Sequence, residues 1–535
     1  MGRSQRTFLQ GVFLLTLAAF VTKVLSAVYR VPFQNIVGDI GFYIYQQVYP
    51  IYGIVLTLSM YGFPVIISKI LTEQPKEDFK KRKEILTSAF FSMSLFGVVL
   101  FSVTYFGGPL IASIMGDPNL FLLLQVAAVS FLFFPIISVI RGYYQSVGFM
   151  VPTAISQVTE QFIRVALILI LSFLFVQKGY SLYLVGGGAI LGSVLGSVAC
   201  IFVLIGFLMA RKEKTRWIFS SLKLNCDVGI QVLIQGIAIC VSSMTLILFQ
   251  LVDAMSLYKM LVESGWSEWD GKVLKGIYDR GQPLVQVGTV VATSMSLALV
   301  PILTKENLRG STQRVQSVGT LALKVSIVFG LGASVGLACL IQPINEMLFT
   351  DRQGSDVLAV FCLSVLFYSI VLTLSAVLQG LGYMYFPMFA VCVGVIGKFL
   401  ANIALIPSLY TMGASLSTVG SLVIISMFLI WKVHKELQGF HLTKTFFGHL
   451  FISIGSMVLV LFVLQLIVGF FDSFTTSRFT STLLSISGSI LGGMTFLAVF
   501  IHIGGFDLDE LKQIPFGDKL KVFRKVRNKN NKLGA

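Results

Sequence analysis

Runs of about twenty apolar residues follow one another along nearly the whole chain, and no water-soluble fold has room to bury that many. Each run is long enough to cross the ~30 Å hydrocarbon core of a bilayer as a helix and too long for a barrel strand of about ten residues. Only 12% of the 535 residues are charged and 56% are hydrophobic, which leaves too little polar surface to coat a globule. The sequence therefore predicts an all-α polytopic membrane protein.

The runs centre on residues 8–30, 46–70, 86–108, 119–140, 152–176, 183–209, 229–253, 283–303, 317–341, 357–381, 387–407, 413–432, 447–471 and 480–504, giving about fourteen transmembrane helices. The first follows basic residues as a signal peptide would, but it carries Lys23 and leads directly into the second run, so it reads as a retained helix. Lysine and arginine concentrate in 76–83, 211–216, 305–314, 432–444 and the tail, all on one side if the runs alternate. The positive-inside rule makes that side cytoplasmic and puts both termini there.

The net charge of +16 is spread over these loops and the tail 519–532, where anionic lipid headgroups are the simplest partner and nucleic acid is not expected. The six cysteines contain no CxxC pair and the four histidines no ligand spacing, so neither a disulfide framework nor a metal site is indicated. No glycine loop ending in GK[ST] is present, and ATP hydrolysis is not expected.

The chain repeats itself. Gln145 opens QSVGFMVP and Arg164 follows nineteen residues later; Gln379 opens QGLGYMYFP and Lys398 follows at the same nineteen. A second echo pairs LSMYGFPVIISK (58–69) with SMSLALVPILTK (294–305). Six spans per half is an even number, so both halves enter the membrane the same way, as in parallel-repeat transporters with a site between the lobes. The expected organisation is an N-lobe over 1–225, a C-lobe over 226–440, additional helices 13 and 14 over 441–504, and a basic tail over 505–535, with a central cavity between two pseudo-symmetric six-helix lobes.

Five basic residues interrupt the apolar runs: Lys23, Arg30, Arg164, Lys324 and Lys398. A charge at bilayer depth costs roughly 2.5–3.5 kcal/mol even on the lenient insertion scale, so such groups normally face a wet cavity. Arg164 and Lys398 lie twelve and eleven residues beyond Pro152 and Pro387, which puts both roughly 16–18 Å from the cytoplasmic side. Lys23 and Arg30, seven residues apart, share a helix face. Each has a structural alternative. Lys23 and Arg30 could snorkel or pair with Asp39, Arg164 could be neutralised by Glu160 one turn earlier, and Lys324 lies close enough to the cytoplasmic end to snorkel.

Other features carry less. Gly188, Gly192 and Gly196 have the spacing of close helix packing within a bundle. Pro50, Pro64, Pro135 and Pro301 mark kinks or hinges. Trp266 and Trp269 fit an interfacial segment in the outer loop 256–282, whose acids Glu263, Glu268, Asp270 and Asp279 read as solvated charge.

TKVLSAVYRVPF (22–33), GFYIYQQVYPIYGIVLTLSMYGFPVIISKIL (41–71), RGYYQSVG (141–148) and LFQLVDAMSL (248–257) resemble polysaccharide-transporter proteins related to stage V sporulation protein B and the lipid II flippases. These belong to the multidrug, oligosaccharidyl-lipid and polysaccharide exporter superfamily. The resemblance covers about residues 5–504 and implies two six-helix lobes, alternating access and a polyprenyl-pyrophosphate-linked saccharide as substrate. In the lipid II flippases an acidic residue of the seventh helix joins polar residues of the eleventh in binding a cation. Asp253 matches the acid, but the eleventh helix offers Lys398 and Asn402, so a gating ion pair stands as the alternative to sodium coupling.

The expected function is a flippase of the bacterial cytoplasmic membrane, a transporter and not an enzyme. Lys23, Arg30, Arg164 and Lys398 would meet an anionic lipid-linked glycan, and Asp253, Asn402 and Glu160 would serve gating or cation-related roles. No cofactor is called for beyond a coupling ion or the membrane potential, and a monomer is expected. A cation-coupled multidrug exporter is the alternative, disfavoured because cations outnumber acids at depth. A membrane-embedded glycosyltransferase would need catalytic acids near a wet loop, and the outer-loop acids show no such arrangement.

Overall fold

The computed structural model describes residues 3–75, 78–210, 224–437, 442–472, 478–507 and 510–511. Helix accounts for the spans and no strand occurs among the described residues, as the need to satisfy backbone groups internally within lipid dictates. The basic tail 519–532 and the loop 211–216 lie outside the described residues.

The first part comprises α1 (Arg3–Val28), α2 (Arg30–Thr57), α3 (Phe63–Thr72), α4 (Phe79–Phe106), α5 (Gly108–Ile114), α6 (Phe121–Ala128), α7 (Phe134–Ser146), α8 (Val151–Gln177) and α9 (Leu182–Ala210). There follow α10 (Cys226–Ser243), α11 (Thr245–Glu263), α12 (Glu268–Asp279), α13 (Gly281–Gly288), α14 (Val290–Leu308), α15 (Thr312–Cys339) and α16 (Ile341–Phe349). The chain continues with α17 (Ser355–Cys362), α18 (Ser364–Gly380), α19 (Tyr385–Glu436), α20 (Lys444–Asp472) and α21 (Arg478–His502).

Among the described residues, twelve helical stretches are long and apolar enough to cross a membrane, against the expected fourteen or so. Two of them, 17–72 and 385–436, run to 56 and 52 residues. At 1.5 Å per residue each would be roughly 80 Å of helix, far more than one ~30 Å crossing. Both contain a reversal. Gly38 (φ 69°, ψ −177°) interrupts α2 in a region only glycine enters freely, and Tyr410 (φ 52°, ψ −129°) interrupts α19.

Prolines mark two further breaks. Pro64 opens α3 just after a π-helical turn, Leu58–Gly62, and Pro135 opens α7 after a 3₁₀ turn, Val129–Leu132, where the missing proline N–H can be tolerated. Pro50 stays inside α2.

The sequence repeat is a structural repeat. At the end of α7, Gly148 N–H donates to Gln145 O and Phe149 N–H to Tyr144 O; at the end of α18, Gly382 N–H donates to Gln379 O and Tyr383 N–H to Leu378 O. Both glycines have positive φ, 74° and 95°, so the QxxG of each half is the same left-handed helix cap. Each cap launches the next long helix, α8 or α19, and hence fixes the depth of Arg164 and Lys398.

Apolar packing forms two cores. One gathers buried residues from Tyr29 to Tyr258, the other from Leu246 to Leu511. They share a helix pair broken at Met244: Val232 and Cys240 of α10 belong to the first core, while Phe249, Leu257 and Leu261 of α11 belong to the second. The GxxxG run of α9 packs inside the first core, against α8. A Cβ at Gly192 would lie 3.1 Å from Ile168 N, and one at Gly196 2.9 Å from Glu160 O.

α20 and α21 lean on the second core through Gln465, which donates to Cys339 O at 2.7 Å, and Ser481, which donates to Glu346 at 2.8 Å. Their outer faces present bare apolar side chains such as Phe451 and Phe479, which lipid can cover.

Candidate functional site: a guanidinium pair in a tyrosine cage

α1 and α2 join at Tyr29, whose dihedrals (φ −62°, ψ −25°) stay helical, so the seven-residue spacing of Lys23 and Arg30 does keep them together. Lys23 is half-buried and within electrostatic reach of Arg30 and Tyr49. Arg30 is fully buried, and none of its three guanidinium nitrogens makes a hydrogen bond. Its support is aromatic: the guanidinium carbon sits 4.5 Å from the centre of the Tyr49 ring and 6.0 Å from that of Tyr29.

Arg164 reaches the same rings from α8. Its Nη2 donates to the Tyr29 hydroxyl at 3.0 Å and the Tyr45 hydroxyl at 3.2 Å, and Nη1 donates to Gln161 at 3.2 Å. Its guanidinium carbon is 4.8 Å from the Tyr52 ring centre and 5.5 Å from that of Tyr49, while Nε makes no hydrogen bond. The i, i+4 and i+7 spacing of Tyr45, Tyr49 and Tyr52 puts all three on one face of α2. Two guanidinium groups thus share one aromatic cage with unspent donors, and among the described residues no carboxylate forms an ion pair with either. The site is closed in this structure, since both arginines are inaccessible.

Two of the alternative pairings are replaced by others. Glu160 does not neutralise Arg164; it is held by Arg141, whose Nη2 lies 3.0 Å from its Oε2 with both side chains buried. The spacing of Glu160 and Arg164 permitted contact, but Arg141 approaches from α7, also donating to Ser156 and to the Ser59 carbonyl in the π turn. Asp39 does not pair with Lys23 or Arg30 either. It sits beyond the Gly38 reversal and takes Arg280 at 2.7 Å. Lys324 ends 2.6 Å from Glu510.

Lys398 stands apart from the arginines. Its Nζ lies 2.8 Å from Asp253 Oδ1 and donates to Thr418 at 2.6 Å, with both charges buried. Asn402 donates to Asp253 at 3.1 Å and to Ser256 at 3.0 Å, Ser417 donates to the Asn402 carbonyl, and Tyr278 donates to the second Asp253 oxygen at 2.9 Å. Arg164 and Lys398, repeat equivalents, therefore do not form one set of free cations: Lys398 is neutralised within the second half. Asp253, Lys398 and Asn402 do come together as one network.

Sequence reasoning passed over Arg141 and α12. Arg141 opens RGYYQ at the end of an apolar run, where it reads as an interfacial cation. α12 contains a buried ion pair, Lys275 Nζ to Asp279 at 2.6 Å, so Asp279 is not solvated loop charge. Burial pushes its carboxyl up to about 6, against the opposing pull of Lys275. The missed signal is the spacing 272, 275, 279, which lines one helix face, while Trp269 is exposed on another and Trp266 packs on Tyr410 at 5.5 Å.

Helical spans, repeated halves and two apolar cores give the chain the architecture of a membrane transporter. A model described as "Polysaccharide biosynthesis protein" matches residues 8–306, and one described as "Lipid II flippase MurJ" matches residues 284–488. The chain belongs to the polysaccharide biosynthesis protein family. It is 41% identical over 525 residues to the uncharacterized membrane protein YabM of Bacillus subtilis (strain 168), covering 97% of each chain. It is 24% identical to the lipid II flippase MurJ of the same organism, covering 97% of this chain and 99% of that one. Among solved structures, the lipid II flippase MurJ in its inward closed conformation matches with a TM-score of 0.67 at 16% identity, covering 90% of this chain and 98% of that chain.

Proposed function

We propose that this protein flips a polyprenyl-pyrophosphate-linked saccharide from the cytoplasmic to the outer leaflet by alternating access, with the diphosphate held by Arg30 and Arg164 and with Lys23 nearby. The observation that carries this reading is the buried guanidinium pair, with which no carboxylate among the described residues forms an ion pair. A burial that leaves three donor nitrogens of Arg30 unspent is costly unless the molecule also visits a state in which an acceptor fills them. A diphosphate supplies several acceptor oxygens in the bidentate geometry that arginine prefers. A lipid tail needs no protein pocket, because it can stay in the bilayer.

In this reading the face bearing the basic loops and both termini is cytoplasmic. The Lys398 ammonium, surrounded by oxygens of Asp253, Thr418 and Ser417, serves as a tethered cation and makes a free coupling ion dispensable. The potential alone favours outward movement of an anion by roughly 2.3 kcal/mol per charge per 100 mV. Organic cations are unsuited to the site: Glu160 and Asp253, the acids at depth, are already taken by Arg141 and Lys398.

The test is translocation of a labelled undecaprenyl-pyrophosphate-linked saccharide in proteoliposomes, with uptake of an ethidium-like cation in parallel. Loss of lipid translocation in Arg30→Ala and Arg164→Ala, with protein levels retained, supports the flippase. Wild-type translocation in both variants, or transport of the cation instead, overturns it.

A further inference from the structure

Next to the tyrosine face of α2 runs a second polar face. Gln46 follows Tyr45, and one residue turns a helix by about 100°, so Gln46, Pro50 and Gly53, spaced i, i+4 and i+7, form a stripe beside Tyr45, Tyr49 and Tyr52. The stripe meets α11 of the second half: a Cβ at Gly53 would lie 3.1 Å from Ile247, and Gln47 donates to the Ala254 carbonyl at 3.0 Å. Gln250, between those two contacts on α11, donates to Gln282 of α13 at 2.7 Å. Gln286 lies one turn further along α13 on the same face, and α13 packs against α1, the helix of Lys23.

Amide oxygens are left over on this face. Gln46, Gln47, Gln250 and Gln282 are buried and Gln286 is half-buried, yet the side-chain oxygens of Gln46, Gln47 and Gln286 receive no hydrogen bond. Pro50 has no N–H to return to the Gln46 carbonyl, so a main-chain acceptor beside them also lacks its helical partner. Buried acceptors are costly to leave unmet. These lie between the two halves, where alternating access would bring them into the same opened cavity as Arg30 and Arg164.

We propose that this amide face is a saccharide subsite: the sugar attached to the diphosphate is held through the hydroxyl and N–H groups it donates to Gln46, Gln47 and Gln286. The unmet atoms are acceptors, so a ligand satisfies them only by donating. A diphosphate at neutral pH offers acceptors alone and a hydrocarbon chain offers neither, whereas a sugar hydroxyl or acetamido group both donates and accepts, as an amide does. A small metal cation could also use such oxygens, but Arg30 sits 4.5 Å from the centre of the Tyr49 ring, three residues from Gln46, with Lys23 within electrostatic reach of the same ring, and that field repels it. The order of the stripes round α2 then matches the order of the headgroup, diphosphate on the tyrosine face and sugar on the amide face.

The inference deepens the proposed function and rests on its headgroup assignment. It is tested in proteoliposomes holding the full chain, by translocation of labelled undecaprenyl diphosphate and of labelled undecaprenyl-diphosphate-linked N-acetylglucosamine in parallel. A site built on acceptors rejects a ligand without donors, since its own groups stay unpaired. The wild type should therefore move the sugar-bearing lipid about ten-fold faster or more. Gln46→Met, of similar volume and losing no hydrogen bond at Oε1, should narrow that preference about five-fold, the scale of one neutral hydrogen bond.

Gln286→Met alters a half-buried side chain and will fold if the buried variant does not; it should narrow the preference by a similar factor. Arg30→Ala should slow both lipids, because the diphosphate is common to them. The subsite is overturned if the wild type moves the two lipids equally fast, or if both glutamine variants keep the wild-type preference, including the case in which both rates fall together as a packing defect would make them. Either result leaves the flippase standing on its arginines. A wild-type protein that moves neither lipid overturns the proposed function, and the subsite with it.

Discussion

Arg164 and Lys398 occupy equivalent places in the two halves, launched by the same glycine cap, yet they have opposite surroundings. Arg164 is met by hydroxyls and ring faces; Lys398 is met by a carboxylate at 2.8 Å. A neutralised cation binds the fold together, whereas an unneutralised one keeps its field available for something that is not part of the fold. The duplicated scaffold thus carries one cation paired with a carboxylate and one that no carboxylate among the described residues contacts.

The contrast breaks most visibly at the carboxylate. Asp253→Ala should destabilise the protein by about 3–5 kcal/mol, because it strands a buried ammonium. Asp253→Ala with Lys398→Met should recover most of that loss, as read by thermal unfolding in detergent; a double variant no more stable than the single would refute the architectural role. On the other side, Arg30→Met and Arg164→Ala should lower translocation by ten-fold or more, equivalent to about 1.4 kcal/mol or more. Arg30→Met should leave the melting temperature unchanged or higher, since no hydrogen bond is lost; a melting temperature several degrees lower would place Arg30 with the structural cations.

A smaller effect is expected from Asp279. Its carboxyl titrates near 6 in the folded protein against an ordinary value of 3.8, so it binds a proton first in the folded state. Stability should therefore rise as pH falls through 6, with the gain complete below about 3.8, and Asp279→Asn should flatten that slope in pH-dependent unfolding. Smallest of all, Lys324→Gln should cost about 0.2–1 kcal/mol, because Lys324 and Glu510 are both partly exposed.

Most span positions, the repeat and the joint placement of Lys23, Arg30 and Arg164 could be read from the sequence, because apolar periodicity and helix rise are local quantities; the expected 229–253 span instead divides between α10 and α11 at Met244, and 283–303 between α13 and α14 at Thr289. The Asp253, Lys398 and Asn402 network was legible too, through the resemblance that drew attention to the seventh and eleventh helices. Partner choice was not. Arg280 and Asp39 are 241 residues apart, and nothing near Asp39 distinguishes Arg280 from Lys23 or Arg30 as its counter-ion. Arg141 escaped notice because a cation at the end of an apolar run reads as interfacial, whereas the Ser59 carbonyl, exposed by the π turn, draws it inward. Hydropathy also hid α12, whose charges average out along the chain although they sort onto separate faces.

The π turn at Leu58–Gly62 sets a limit of its own. Ahead of it, α2 aims Tyr45, Tyr49 and Tyr52 at the guanidinium groups; behind it, Phe63 packs under Gly236 of α10 and Ile67 under Gly142 of α7. One residue advances a helix by about 100°. Substitutions within these five positions can be absorbed, but deleting any one of them would straighten the rod and swing one end away from its seat while the other stayed put. The angular agreement between the aromatic cage and the floor beneath it is thus stored as a number of peptide units.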